Sequence, residues 1–77
     1  MVGKETFRTR LGRLFWKARK DRGMTQETVA IRAGMTESAL SYIERGRNSP
    51  SAYSAIRLAQ VLRIDLEEIM KLLGKPR

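Results

Sequence analysis

Cysteine and histidine are both absent from this chain of 77 residues. Without cysteine the fold can use neither a disulfide nor a thiolate metal site, and the composition suits the reducing cytoplasm. Without histidine the chain lacks the commonest general base and the commonest metal ligand. No cluster of carboxylates replaces these groups. We therefore expect no enzyme, no cofactor and no metal.

Long apolar runs are missing as well. No stretch approaches the roughly 20 apolar residues that a membrane-spanning helix needs. The first residues contain no apolar segment of the kind found in a signal peptide. We expect a cytoplasmic protein with no membrane partner. A chain of this length can bury one small core, so we treat residues 1–77 as a single domain.

Basic residues are in excess, and the formal net charge is +8. A surplus of this size favours a polyanionic partner, with nucleic acid preferred over a membrane surface. The charge is concentrated in residues 1–23, where eight Lys and Arg side chains are opposed only by Glu5 and Asp21. A helix with a solvated basic face would give the same composition, so charge alone does not identify the partner.

Residues 25–46 predict two short helices joined by a tight turn. Suitable capping residues stand at both ends of each helix, namely Thr25 and Gly34 for the first and Thr36 and Gly46 for the second. Because so few residues separate the two helices, they must cross steeply. A helix-turn-helix has this arrangement, and one of its uses is to set the second helix into the major groove of DNA.

Apolar residues at helical spacing predict three further helices. They cover about residues 6–22, 51–62 and 65–73, the last opened by a capping box of Asp65 and Glu68. The predicted fold is therefore all-α with five helices. The expected core residues are Phe7, Leu11, Phe15 and Ala18 in the first helix; Val29, Ala30, Ala33, Leu40 and Ile43 in the motif; and Ile56, Leu58, Ala59 and Leu62 in the fourth helix.

The joint spacing of these residues resembles the Cro/XRE-type, lambda-repressor-like helix-turn-helix family. Counted from Gln26, the motif has its small residue at the fifth place and its glycine at the ninth, as Ala30 and Gly34. Apolar residues fill the fourth, tenth, fifteenth and eighteenth places: Val29, Met35, Leu40 and Ile43. The resemblance implies a five-helix lambda-repressor-like domain with its helix-turn-helix core at 25–46. It also implies a transcriptional regulator of double-stranded DNA, usually a homodimer on a palindromic operator.

The outward face of the second motif helix supplies the expected base contacts: Glu37, Ser38, Ala39 and Tyr42. Ser38 can donate or accept a hydrogen bond at a base edge, and Ala39 can touch a thymine methyl group. Tyr42 offers a ring and a hydroxyl group on the same face. For Glu37 two interpretations carry equal weight. It accepts from a cytosine amino group, or it only stabilises the helix dipole.

Phosphate contacts are expected at both sides of this helix, from Thr25, Gln26, Ser41, Arg45, Arg47 and Asn48. An amide donor at a helix start, where free N–H groups point outward, suits an anion, and the resemblance implies this role for Gln26. The alternative is that Thr25 is only a cap and Gln26 only a solvated first-turn residue. For the loop after the helix, the alternative is a solvated basic segment.

The resemblance also implies a partly buried ion pair between Arg19 and Glu44 that clamps the first helix to the second motif helix, which is the expected recognition helix. The last helix has an apolar face, which we assign to a dimer interface made by Leu66, Met70, Leu72 and Leu73. Leu14 and Trp16 could extend it, and core packing within one chain is the alternative. A second interpretation of the whole chain is a protein-interaction module of antitoxin or co-activator type.

Overall fold

The computed structural model describes residues 6–74, so both ends of the expected domain lie outside it. Within that range the chain forms five α-helices and no strand, as the sequence predicted. The helices are α1 (Phe7–Asp21), α2 (Gln26–Ala33), α3 (Glu37–Glu44), α4 (Ala52–Leu62) and α5 (Leu66–Met70), followed by a 3₁₀-helix at Lys71–Leu73. None of the helices in the described part is both long and apolar enough to cross a membrane.

Local capping sets the ends of the two motif helices. The Thr25 hydroxyl oxygen accepts from the backbone N–H of Thr28 at 3.1 Å, and that of Thr36 accepts from Ala39 at 3.0 Å. Gly34 ends α2 in the left-handed region with φ of 77°, a conformation that glycine adopts without the steric cost of a Cβ. The predicted caps are therefore present, and they set the turn between α2 and α3.

One core joins the first four helices. Its largest fully buried side chains are Phe15, Val29, Leu40, Leu58 and Leu62. The prediction was wrong for Phe7, which is 38% exposed because it lies in the first turn of α1. It was also wrong for Ile56, which is 58% exposed. Ile56 lies two residues before Leu58, about 200° around the helix, so it points away from the core that Leu58 enters.

The predicted last helix, 65–73, is shorter than expected. It opens with the predicted capping box, in which the Asp65 N–H donates to Glu68 Oε2 at 3.2 Å. It ends at Met70, and the chain tightens into the 3₁₀-helix. Arg10 Nη1 donates to the Leu72 carbonyl oxygen at 2.8 Å, so a side chain of α1 satisfies that group in place of a further helical turn.

Gly12 allows α1 to lie directly against the end of α3. A Cβ at this position would overlap the carbonyl oxygen of Ile43 and lie 2.9 Å from that of Glu44. No side chain fits there, so the two backbones approach more closely than any other residue would permit. This contact fixes the position of α3 relative to α1.

Candidate nucleic-acid interface

The recognition helix α3 has one buried side and one exposed side. Leu40, Ile43 and Glu44 are buried, whereas Glu37, Ser38 and Tyr42 are exposed. Ala39 and Ser41 are half-buried and lie at the margins of the exposed side. The residues predicted to read bases are therefore on one surface, with Ala39 the least accessible of them.

Arg45 extends this exposed surface. Its guanidinium carbon lies 5.4 Å from the centroid of the Tyr42 ring, a cation–π contact across one helical turn. The sequence predicted a phosphate contact for Arg45, whereas this pairing with Tyr42 was not predicted. The three-residue spacing, which makes side chains neighbours on a helix, is the signal that could have predicted it.

The ion pair of Arg19 and Glu44 is present and is almost completely buried. Arg19 Nε lies 2.7 Å from Glu44 Oε2, and Arg19 Nη2 lies 3.0 Å from Oε1. A third guanidinium nitrogen, Nη1, donates to the Met24 carbonyl oxygen at 2.9 Å. This two-point geometry is the strong form of an arginine–carboxylate contact. It ties α1, the start of the motif and the end of α3 together.

Gln26 belongs to the same network. Its side-chain amide Nε2 donates to Glu44 Oε1 at 3.0 Å. The two predicted alternatives for Gln26 were a phosphate contact and a solvated first-turn residue, and this contact with Glu44 was not predicted. Glu44 is 18 positions further along the chain, so no local pattern indicates the contact.

An open cleft of about 490 Å³ surrounds the start of α2. It is lined by Arg19, Lys20, Gly23, Met24, Thr25, Gln26 and Glu37. The first backbone N–H groups of a helix lack intrahelical partners and carry partial positive charge. Together with the Lys20 ammonium group they make the cleft suitable for an anion. The Thr25 hydroxyl oxygen is occupied as the cap, and the hydroxyl donates to Thr28 Oγ1 at 3.0 Å.

The loop after α3 folds back on the recognition helix. The Arg47 N–H donates to the Tyr42 carbonyl oxygen at 2.9 Å, and the Asn48 N–H to the same oxygen at 3.4 Å. The side chains of Arg47 and Asn48 are exposed. The predicted phosphate contacts thus form two groups, one around the start of α2 and one at the end of α3.

The predicted dimer residues divide into two sets. Leu66, Met70 and Leu73 are exposed, whereas Leu72 is half-buried and packs against the core. Leu14 packs on the core in the same way. Leu72 and Leu14 therefore follow the alternative interpretation, in which they pack against the core of a single chain. Leu66 also lines an apolar groove of about 470 Å³, together mainly with Ala52, Ala55, Ile56, Ala59 and Ile69.

Known proteins resemble this chain in sequence and in fold. A family model described as Helix-turn-helix matches residues 17–69. A helix-turn-helix-type transcriptional regulator, y4dJ of Sinorhizobium fredii, is 37% identical over 60 residues, covering 78% of each chain. Another from Methanothermobacter thermautotrophicus is 44% identical over 52 residues, covering 66% of this chain and 75% of its own.

Two solved structures have the same fold. The restriction–modification controller protein C.AhdI from Aeromonas hydrophila superposes with a TM-score of 0.73 at 30% identity, covering 79% of this chain and 88% of its own. The clp gene regulator ClgR from C. glutamicum gives a TM-score of 0.85 at 23% identity and covers 96% of both chains; this likeness concerns the fold alone. By its motif, its fold and these relatives, the chain belongs to the Cro/C1-type, lambda-repressor-like helix-turn-helix family of DNA-binding transcriptional regulators.

Proposed function

We propose that this protein is a sequence-specific transcriptional regulator that binds a palindromic DNA operator as a homodimer. It acts in the cytoplasm as a repressor or autoregulator and has no catalytic activity. One observation carries the proposal. The exposed side of α3 is held in place from behind by the buried network of Arg19, Glu44 and Gln26. A recognition helix must keep a fixed orientation for its side chains to meet base edges.

Base reading is assigned to the exposed side of α3, to Ser38 and Tyr42 first and to Glu37 and Ala39 second. Glu37 shares its cleft with Lys20, whose positive charge offsets the repulsion between a carboxylate and phosphates. Arg45, stacked on Tyr42, lies close enough to this surface to contact either a base or a phosphate. We keep it among the phosphate contacts.

Phosphate binding is assigned to two groups. At the start of α2, Thr25 and Gln26 lie where the free backbone N–H groups of the helix would donate to a phosphate. Ser41, Arg47 and Asn48 act at the end of the recognition helix. Phosphate contacts at two places around α3 would fix the register of this helix on the duplex, and they would not themselves distinguish one base sequence from another.

The proposed homodimer uses the exposed apolar side chains of the last helix. Leu66 lines the groove that contains Ile56, and Met70 and Leu73 are exposed further along the chain. A second copy of the chain could cover this surface through a two-fold axis. Such a dimer would place its recognition helices about 34 Å apart, one turn of B-DNA. The likeness to C.AhdI, a restriction–modification controller protein, and to y4dJ, a transcriptional regulator, supports transcription control as the activity.

Selection of bound sequences from random duplex DNA tests this function. We expect a palindrome whose half-sites are about one helical turn apart. Binding to the selected duplex should weaken steeply with salt, because phosphate contacts release counterions. A chain that binds no duplex at low salt, or binds every duplex equally, would overturn the proposal.

The second candidate function is a protein-interaction module. The observation that favours it is the same exposed apolar surface, with Ile56 and Leu66 both more than half exposed. Such a module would bind a protein partner with little dependence on salt and would not bind DNA. The net charge of +8 favours the DNA-binding function over this alternative.

A further inference from the structure

One flank of α1 combines positive charge with an exposed aromatic ring. Arg13, Trp16 and Lys20 recur at spacings of three and four residues, so they lie on the same side of the helix. All three are exposed, Trp16 by 47%. The Lys20 ammonium nitrogen lies 6.0 Å from the Trp16 ring centroid. We call these three residues the basic flank of α1.

The basic flank borders the recognition helix. A cleft of about 360 Å³ lies between them, lined by Thr9, Arg13, Trp16, Glu44 and Arg45. The Glu44 carboxylate already binds Arg19 and Gln26, so its charge is compensated. The cleft therefore presents the charges of Arg13 and Arg45 beside the indole ring.

The other end of the flank reaches the cleft at the start of α2, because Lys20 lines that cleft. Lys20 lies seven positions after Arg13, which corresponds to roughly 10 Å along a helix. Positive groups thus run beside α3 from its end to its beginning. A path of this kind fits a polyanionic strand better than a single small anion.

We propose that the basic flank binds the sugar–phosphate backbone of one DNA strand while α3 occupies the major groove. Arg13 and Arg45 donate to a phosphate in the cleft at the end of α3, and Lys20 donates to a phosphate further along the same strand. The Trp16 ring packs against the deoxyribose between them. This inference rests on the proposed DNA-binding function and adds a contact surface to it.

The chemistry of the flank disfavours a protein partner on this surface. Covering Trp16 with an apolar partner would also remove the charges of Arg13 and Lys20 from water, and moving charged groups out of water is unfavourable. A phosphodiester strand supplies the opposite charge and an apolar sugar face at once. The flank therefore explains an exposed tryptophan that neither the core nor the base contacts require.

A pair of matched variants tests the proposal by the salt dependence of binding. The full chain is titrated with a duplex recovered by selection and with an unrelated duplex of equal length. Arg13→Gln should lower the slope of log K against log salt by about 0.9 for both, since one phosphate contact is lost. The preference for the selected duplex should remain. Arg63→Gln removes the same charge at the exposed C-cap of α4, where the side chain lines neither of the two clefts beside the flank, and should keep the wild-type slope.

Trp16 supplies a second measurement, because it is the only tryptophan of the chain. Adding duplex should reduce the quenching of its fluorescence by acrylamide, since the DNA backbone would cover the ring. An Arg13→Gln slope equal to that of Arg63→Gln, or unchanged quenching in the complex, would overturn the inference. A wild-type chain that binds neither duplex would instead overturn the proposed function itself.

Discussion

Arg19 Nε lies 2.7 Å from Glu44 Oε2, and this contact joins the last turn of α1 to the last residue of the recognition helix. Both residues are 8% exposed. Gln26 donates to the other carboxylate oxygen at 3.0 Å, so the three side chains fasten α1, α2 and α3 to one another. The position of the surface proposed to bind DNA therefore depends on a buried ion pair behind it.

Removing the charge of Glu44 should destabilise the fold strongly. In Glu44→Gln the Arg19 guanidinium would remain buried without its counter-charge, which costs about 3 kcal/mol of unfolding free energy. Urea denaturation measures this change. Lys17→Gln is the control, because it breaks the exposed pair with Asp21, worth about 0.5 kcal/mol or less. A Glu44→Gln chain with the wild-type urea midpoint would show that the ion pair contributes nothing to stability.

Gly12→Ala should be destabilising although alanine is the better helix former. The added methyl group would collide with the Ile43 and Glu44 carbonyl oxygens, and forced overpacking costs about 1–3 kcal/mol. Gly34→Ala is the comparison, because its φ of 77° is strained for alanine while no atom lies within 4 Å. Its cost is expected to be conformational only, about 1 kcal/mol.

DNA binding separates the two substitutions further. Gly12→Ala should weaken binding to the selected duplex under conditions where the variant is fully folded, because it displaces α3. Gly34→Ala should lower the melting temperature without that loss. Equal DNA affinity of the two folded variants would contradict the role of Gly12 in positioning α3.

Short-range signals explain why the motif could be predicted from sequence. Caps such as Thr36 and turns such as Gly34 depend on backbone groups a few residues away, and the structure has them where the pattern indicated. Contacts distant in sequence left no such signal. Arg10 donates to the Leu72 carbonyl oxygen, 62 positions further along the chain. The apolar pattern of 65–73 therefore predicted a helix to residue 73, whereas α5 ends at Met70.

The helical spacing of apolar residues also could not predict which of them would be exposed. The pattern identified Ile56 as apolar and helical but not which side of α4 would meet the core. That choice was made by Leu58 and Leu62, which are fully buried one turn apart. The Tyr42–Arg45 and Trp16–Lys20 contacts likewise required the side-chain positions, although their spacing of three or four residues allowed them.

Arg63 occupies a backbone conformation that favours glycine. Its φ of 56° and ψ of 49° place it in the left-handed region at the end of α4. Arg63→Gly should raise the unfolding free energy by about 0.5–1 kcal/mol, since relief of steric strain exceeds the entropy lost on fixing glycine. Thermal unfolding measures the effect. Arg63→Gln, which keeps the Cβ, should leave the melting temperature near wild type, and a Gly variant no more stable than it would contradict the argument.

Base contacts and phosphate contacts should respond differently to substitution. Ser38→Ala is expected to lower the affinity for the selected duplex by about 1–3 kcal/mol while leaving binding to unrelated DNA unchanged. Arg47→Gln should weaken both duplexes alike and reduce the salt slope by about 0.9. Fluorescence anisotropy with both duplexes at several salt concentrations distinguishes the two patterns. If Ser38→Ala weakened both duplexes equally, Ser38 would not be reading sequence.

The apolar surface of α5 should carry the dimer. Leu66 is 69% exposed in the single chain, and Leu66→Lys would place a charge where a second copy is proposed to pack. We expect the dimer dissociation constant, measured by sedimentation, to rise at least about tenfold, equivalent to about 1.4 kcal/mol. Ile31→Lys is the matched control, because Ile31 is also 69% exposed but lies on α2, and it should leave the constant unchanged. Equal effects of the two substitutions, or a wild-type chain that stays monomeric at high concentration, would rule out this surface as the interface.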